Sequence, residues 1–147
     1  MKETTFFSYG KNYFIREISV GLKTPQEEAG TLFGMYLRGE LEEKKQIQVE
    51  NSVAQSRAKW NNHFKKALTG LAKIGKLPHI VFFTTDTEVS HFFEILIKEA
   101  SQDFFSGEGL DVEYLDTKTM ANFASFESGI ERDPFLALEA LFAKKII

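Results

Sequence analysis

The sequence predicts an α/β domain with at least two parallel strands. Three observations lead there. The apolar run Ile80 to Phe83, entered through Pro78, suits a strand covered on both faces. A short polar turn, Thr84-Thr85-Asp86, leads from it into an amphipathic helix over 87–105. Leu110 to Leu115 then alternates apolar with acidic residues, as a half-exposed strand near a sheet edge does. Strand, helix and strand in that order form a unit whose two strands run the same way.

The remaining elements follow from the chain in order. Lys2 to Tyr9 is β-rich and ends at Gly10, which predicts a further strand with a glycine turn. From Lys11 to Leu22, Tyr13, Phe14, Ile15, Ile18 and Leu22 recur at helical spacing. Thr24-Pro25-Gln26-Glu27 predicts a helix start with Thr24 as N-cap, Pro25 in the first helical position and Glu27 closing a capping box. That helix places Ala29, Leu32, Phe33, Tyr36 and Leu37 on one face and stops at Gly39. Glu40 to Lys45 reads as a charge-dense, solvated linker.

Ile47 to Ile74 carries the longest helical pattern, stepping through Val53, Trp60, Phe64, Ala67, Leu71 and Ile74. Gly70 and Gly75 weaken its end and Pro78 stops it. In the helix after the Ile80 strand, Val89, Phe92, Phe93, Leu96 and Ile97 point inward, and Thr85 with Glu88 predicts its capping box. Residues 106–109 form a loop. A helix over 117–126 buries Met120, Phe123 and Ala124. Asp133-Pro134 caps a last one with Phe135, Leu138, Leu141 and Phe142 on its face. The whole is one domain. Residues 10–76 supply a helical insertion and the long helix, 77–147 a strand-helix-strand-helix core, and the sheet is small and mixed, of about three strands.

Composition bounds the function. A chain of 147 residues that is 43% hydrophobic and 27% charged can bury a core of its own. Without cysteine it has no disulfide framework, thiolate metal site or thiol nucleophile. His63, His79 and His91 lie far apart and form no H-x₃-H pair. A net charge of −3 argues against nucleic acid as the main partner. No apolar run is long enough to span a membrane, and Lys2 and Glu3 open no signal peptide, so the expected location is cytoplasmic. The 15 phenylalanines suit a large core.

Little in the chain carries chemistry. Thr84, Thr85 and Asp86, with Thr87, offer hydroxyls and backbone amides at a helix N-terminus, where a phosphate or nucleoside can bind. Asp86 opposes an anion there, and a helix cap accounts for all of these residues. Gln48-x-Glu50 matches half of a nuclease metal corner, but it sits inside a helical pattern with no upstream carboxylate to complete it. Asp111, Glu113 and Asp116 alternate outward on the second strand, as charges that discourage edge pairing do. We therefore expect no catalytic residue and no metal ligand.

The run Phe6-Phe7-Ser8-Tyr9-Gly10-Lys11-Asn12-Tyr13-Phe14-Ile15-Arg16 resembles the strand-and-turn of FtsA/PilM-type actin-like ATPases, proteins of cell division and type IV pilus assembly. Gly21-Leu22-Lys23-Thr24-Pro25-Gln26-Glu27-Glu28-Ala29 matches their G-L-x-T-P-x-E-E-A motif. Pro78 to Asp86 stands where they carry a strand ending in a glycine triplet, and Asp133 to Leu138 resembles their closing helix. The order holds from about residue 3 to the end. It implies part of an actin-like, ribonuclease H-like ATPase domain, the C-terminal part of the second domain.

The departures decide what that resemblance implies. Thr84, Thr85 and Asp86 replace the glycines of the adenosine loop, and a Cβ there takes room from base and sugar. The D-x-G-x-x-x-T phosphate hairpin and the first domain would both lie upstream of Met1. The expectation is a degenerate nucleotide site, no cofactor unless missing segments complete one for ATP and Mg²⁺, and no ATP hydrolysis by this chain alone. The incomplete sheet would leave an apolar edge for a protein partner or a second copy, in an assembly that can be peripheral to a membrane. Two alternatives stand beside this scaffold reading. Lys66-Ala67-Leu68-Thr69-Gly70-Leu71 followed by Val81 to Thr85 resembles a segment of Mrr-type restriction nucleases, and a truncated gene fragment is the other.

Overall fold

The computed structural model describes residues 9–77, 79–105, 110–116 and 118. Their order is α1 (Lys11–Leu22), α2 (Gln26–Arg38), α3 (Glu43–Ala72), β1 (Ile80–Phe83), α4 (Thr87–Phe104) and β2 (Asp111–Tyr114). The strand expected over 2–9, the 106–109 loop and the helices expected over 117–126 and after Asp133 lie outside the described residues, apart from Tyr9 and Lys118.

β1 and β2 run parallel, pairing Ile80 with Asp111, Val81 with Val112, Phe82 with Glu113 and Phe83 with Tyr114. The ladder continues at both ends: Asp111 N–H donates to the His79 carbonyl at 2.8 Å, and Leu115 N–H to that of Phe83 at 2.8 Å. With α4 between them, the strands form the expected parallel β-α-β unit. Among the described residues the sheet has these two strands, where about three in a mixed sheet were expected.

Among the described residues the sheet is covered on one face. Val81, Phe83 and Val112 pack against the core. Because side chains alternate across a strand, Ile80 and Phe82 point the other way, and Phe82 is 53% exposed. This corrects the strand buried on both faces: a continuous apolar run does not distinguish one covering layer from two.

The core lies where the helices converge. Phe14 of α1 is fully buried. Its ring meets Phe33 of α2 at 5.9 Å and Phe92 and Phe93 of α4 at 5.0 and 5.8 Å, the last two edge-on. Edge-to-face pairs place a ring's positive rim against a negative face, adding about 0.5–1.5 kcal/mol each beyond burial. Trp60 brings in α3, stacked on Phe64 and tilted against Phe93. Its indole N–H donates to the Tyr9 carbonyl at 2.7 Å.

The starts of α2 and α3 differ from expectation. Pro25, with ψ of 152°, occupies the N-cap of α2, one residue before the helix. The Thr24 carbonyl instead accepts a bond from Ser19 Oγ at 2.6 Å, which fixes the α1–α2 corner. Thr24 is thus held by the end of α1, where Lys23 takes the left-handed conformation at φ 54°. The long helix starts earlier than its apolar pattern does: Glu43 to Lys45, read as linker, form the first turn of α3. A carboxylate at Glu43 suits the positive end of the helix dipole. α3 then runs unbroken through Gly70 for 30 residues, about 45 Å at 1.5 Å per residue. Val49, Ser56 and Leu68 join Val53 and Trp60 on its buried side, whereas Ile74 lies beyond the helix and is exposed.

Ion pairs tie α3 to its neighbours, Arg57 to Glu99 at 2.7 Å, Lys65 to Asp103 at 2.9 Å and Lys59 to Glu17 at 3.2 Å. Between α2 and α3 the Tyr36 hydroxyl donates to the Glu50 carboxylate. Desolvation, then that bond and the Glu50 charge, push the Tyr36 hydroxyl up to about 12.

Two outcomes follow from this packing. Phe14→Ala should cost about 3–5 kcal/mol, read as a lower urea midpoint, and Phe14→Leu should cost distinctly less. Tyr36 binds its proton more tightly folded than unfolded, so its contribution is present below the ordinary value of 10 and lost as pH rises toward about 12. Tyr36→Phe should flatten that alkaline loss of stability in urea titrations run across this range.

Candidate functional site

The turn Thr84-Thr85-Asp86 joins the C-terminal end of β1 to α4, the end of a parallel sheet at which α/β proteins usually hold ligands. The N-terminus of α1 comes to the same place. Gly10, Lys11, Asn12 and Arg16 face Thr84 to Asp86 across a broad polar recess of about 990 Å³. On the other side of the turn lies a smaller apolar cavity of about 190 Å³, lined by Tyr9, Trp60, Phe64, Phe83, Phe93 and Ile97. That is below the usual range of roughly 300–1,000 Å³ for small-molecule sites.

Each residue of the turn has a partner inside the chain. Thr84 Oγ1 donates to the Leu115 carbonyl at 3.1 Å, locking the turn to the end of β2. The Tyr114 hydroxyl donates to the Thr85 carbonyl at 3.0 Å and lies 3.3 Å from Thr87 Oγ1. Lys11 Nζ sits 3.4 Å from the Asp86 carboxylate and 3.7 Å from that of Glu88. Arg38 of α2 reaches the other Glu88 oxygen at 3.1 Å and Glu40 at 3.0 Å. The two facing helix N-termini are therefore bridged by an ion network in which lysine balances the turn's own carboxylates.

The expected capping box is not formed. Asp86, not Thr85, is the N-cap of α4, and its side chain makes no capping bond. Tyr114 holds the Thr85 backbone, and Glu88 turns outward to two cations instead of back to the cap. All three partners, Tyr114, Lys11 and Arg38, come from distant parts of the chain, which local spacing does not register.

No protein-family model, curated protein or solved structure matches the chain.

The other sequence candidates are dispersed. Gln48 and Glu50 lie within α3, and Glu50 is engaged with Tyr36. Among the described residues no three His, Asp or Glu side chains are grouped to hold a metal ion. The His63 ring stacks on Tyr9 at 4.1 Å, and His91 stands at the surface 4.0 Å from Glu94. Asp111 and Glu113 project from β2 on the face away from the core. No described helix is long and apolar enough to cross a membrane. Lys11, Arg38 and Tyr114 were not legible as parts of this site, because each acts across a gap of more than 25 residues.

Thr84→Val keeps the shape and removes the bond to Leu115. It should lower stability by about 1 kcal/mol, since a part-buried carbonyl loses its donor. Lys11→Met should cost less than about 1 kcal/mol, and the cost should shrink with added salt. Thermal unfolding at two ionic strengths reads both.

Proposed function

We propose that this chain is a non-catalytic interaction module, the C-terminal part of a degenerate actin-like protein that scaffolds a division or type IV pilus assembly. One observation carries the reading. At the place where the resemblance puts an adenosine loop, the Thr84 hydroxyl, the Thr85 carbonyl and the Asp86 carboxylate are all taken up by Leu115, Tyr114 and Lys11. A nucleoside entering there would have to displace these bonds and meet Cβ atoms where the family keeps glycines. Its phosphates would meet the Asp86 and Glu88 carboxylates. The order of the motifs along the chain supports the actin-like part, and the parallel β-α-β unit with a helical layer before it is compatible with that part.

Titration calorimetry of the full chain with ATP and Mg²⁺ tests it. No saturable binding is expected at micromolar to low-millimolar nucleotide, and Thr85→Gly with Asp86→Gly should not restore it, because the rest of the cleft would come from other segments. Tight saturable binding by the unaltered chain would refute the degenerate site.

A further inference from the structure

The exposed face of the β1–β2 sheet has a definite chemistry. By register and alternation it presents Ile80 and Phe82 from β1 beside Asp111 and Glu113 from β2, an apolar row flanked by an acidic row. Phe82 is 53% exposed, and Asp111 and Glu113 are exposed as well. Neither carboxylate takes part in an ion pair among the described residues. A recess of about 460 Å³ continues this surface along β2, lined by Lys98, Gln102 and Leu110 as well as Ile80 and Asp111 to Glu113. Lys98 is itself paired with Glu94 at 2.6 Å, so it does not neutralise the acidic row.

Parallel strands are almost always covered on both faces, usually by helices. Among the described residues the inner face has its layer and the outer face shows a half-exposed phenylalanine. We infer that this outer face binds an amphipathic helix of a partner protein that carries lysine or arginine along the edge of its apolar stripe. Charge complementarity selects that partner. Asp111 and Glu113, two residues apart on a strand, stand about 7 Å from one another. Cations at positions i and i+4 of a helix are about 6 Å apart along its axis and lie on the same side. Such a helix lays its apolar residues on Ile80 and Phe82 and its basic edge over β2. An acidic helix is repelled, so the two carboxylates give the face its selectivity. The inference rests on the interaction-module reading and names the partner's chemistry.

The chain has no cysteine, so Phe82→Cys places a single thiol on the face. In the full chain that thiol should react rapidly with a maleimide, and the reaction should slow when a synthetic amphipathic helix with Leu on one side and Lys at i and i+4 is added. Fluorescence anisotropy of the same labelled peptide on the unaltered chain should show binding at least tenfold tighter than its Glu-for-Lys counterpart. Phe82→Ser should weaken binding by about tenfold, as loss of one apolar anchor does. Asp111→Asn with Glu113→Gln should abolish the preference and flatten the salt dependence. All three positions are exposed, so circular dichroism should stay unchanged.

Equal binding of both peptides, or of neither, would overturn the inference. An unreactive thiol in the free chain would also overturn it, by showing the face covered from within. So would a concentration-dependent dimer, seen in sedimentation velocity and lost in Phe82→Ser, because the occupant would then be a second copy. Selective peptide binding together with tight ATP binding would fault only the degenerate-site reading. Peptide failure without ATP binding would fault only this surface.

Discussion

Phe14 is the residue on which the rest of the arrangement depends. Its ring is the shared neighbour of Phe33 on α2 and of Phe92 and Phe93 on α4, and Trp60 extends the same cluster to α3. The helical layer and the β-α-β unit are thus joined chiefly where α4 meets this aromatic cluster. Val81, Phe83 and Val112 of the two short described strands pack against the same core, and ion pairs from α2 and α3 to α4 lie beside it. α4 belongs to both halves: Val89, Phe93, Leu96 and Ile97 are buried in the shared core while the helix connects β1 to β2. The position of the turn at its N-terminus is therefore set by the cluster beneath it.

That geometry explains the character of the turn. α1 and α4 both point their N-termini at one place, which concentrates positive dipole ends and invites negative charge. The sequence supplies the charge covalently, as Asp86 and Glu88, and then balances it with Lys11 and Arg38. A site that would suit an anion is filled by the protein's own carboxylates. These pairs are partly exposed, so they orient the helix ends more than they stabilise the fold.

Much of the fold was legible in the sequence, and the reasons are local. Apolar recurrence at three and four residues marks α1 and α4 nearly to the residue, and Gly39, left-handed at φ 69°, ends α2 where a glycine stop was read. The acid-alternating pattern places β2 correctly. The failures at the turn share one cause. Thr85 and Glu88 look like capping residues when only their neighbours in sequence are considered, but Tyr114, Lys11 and Arg38 engage them through tertiary contacts, whereas Thr24 is taken up locally by the end of α1 through Ser19. The same limit hid the exposure of Phe82, since a run of four apolar residues carries no record of which side is covered. Whether the turn holds a ligand could be framed from Thr84 to Asp86 alone, but their partners could not.

The placement of the aromatic cluster also sets an order of assembly during synthesis. Phe14, Phe33 and Trp60 leave the ribosome long before Phe92 and Phe93. At 5–20 residues per second, roughly, the first three helices wait for seconds without the rings that close their core. α1 and α2 can pair around Phe14 and Phe33 in that interval, but one side of Phe14 stays open until α4 emerges. The arrival of a single helix, α4, supplies the Phe92 and Phe93 rings that close that side.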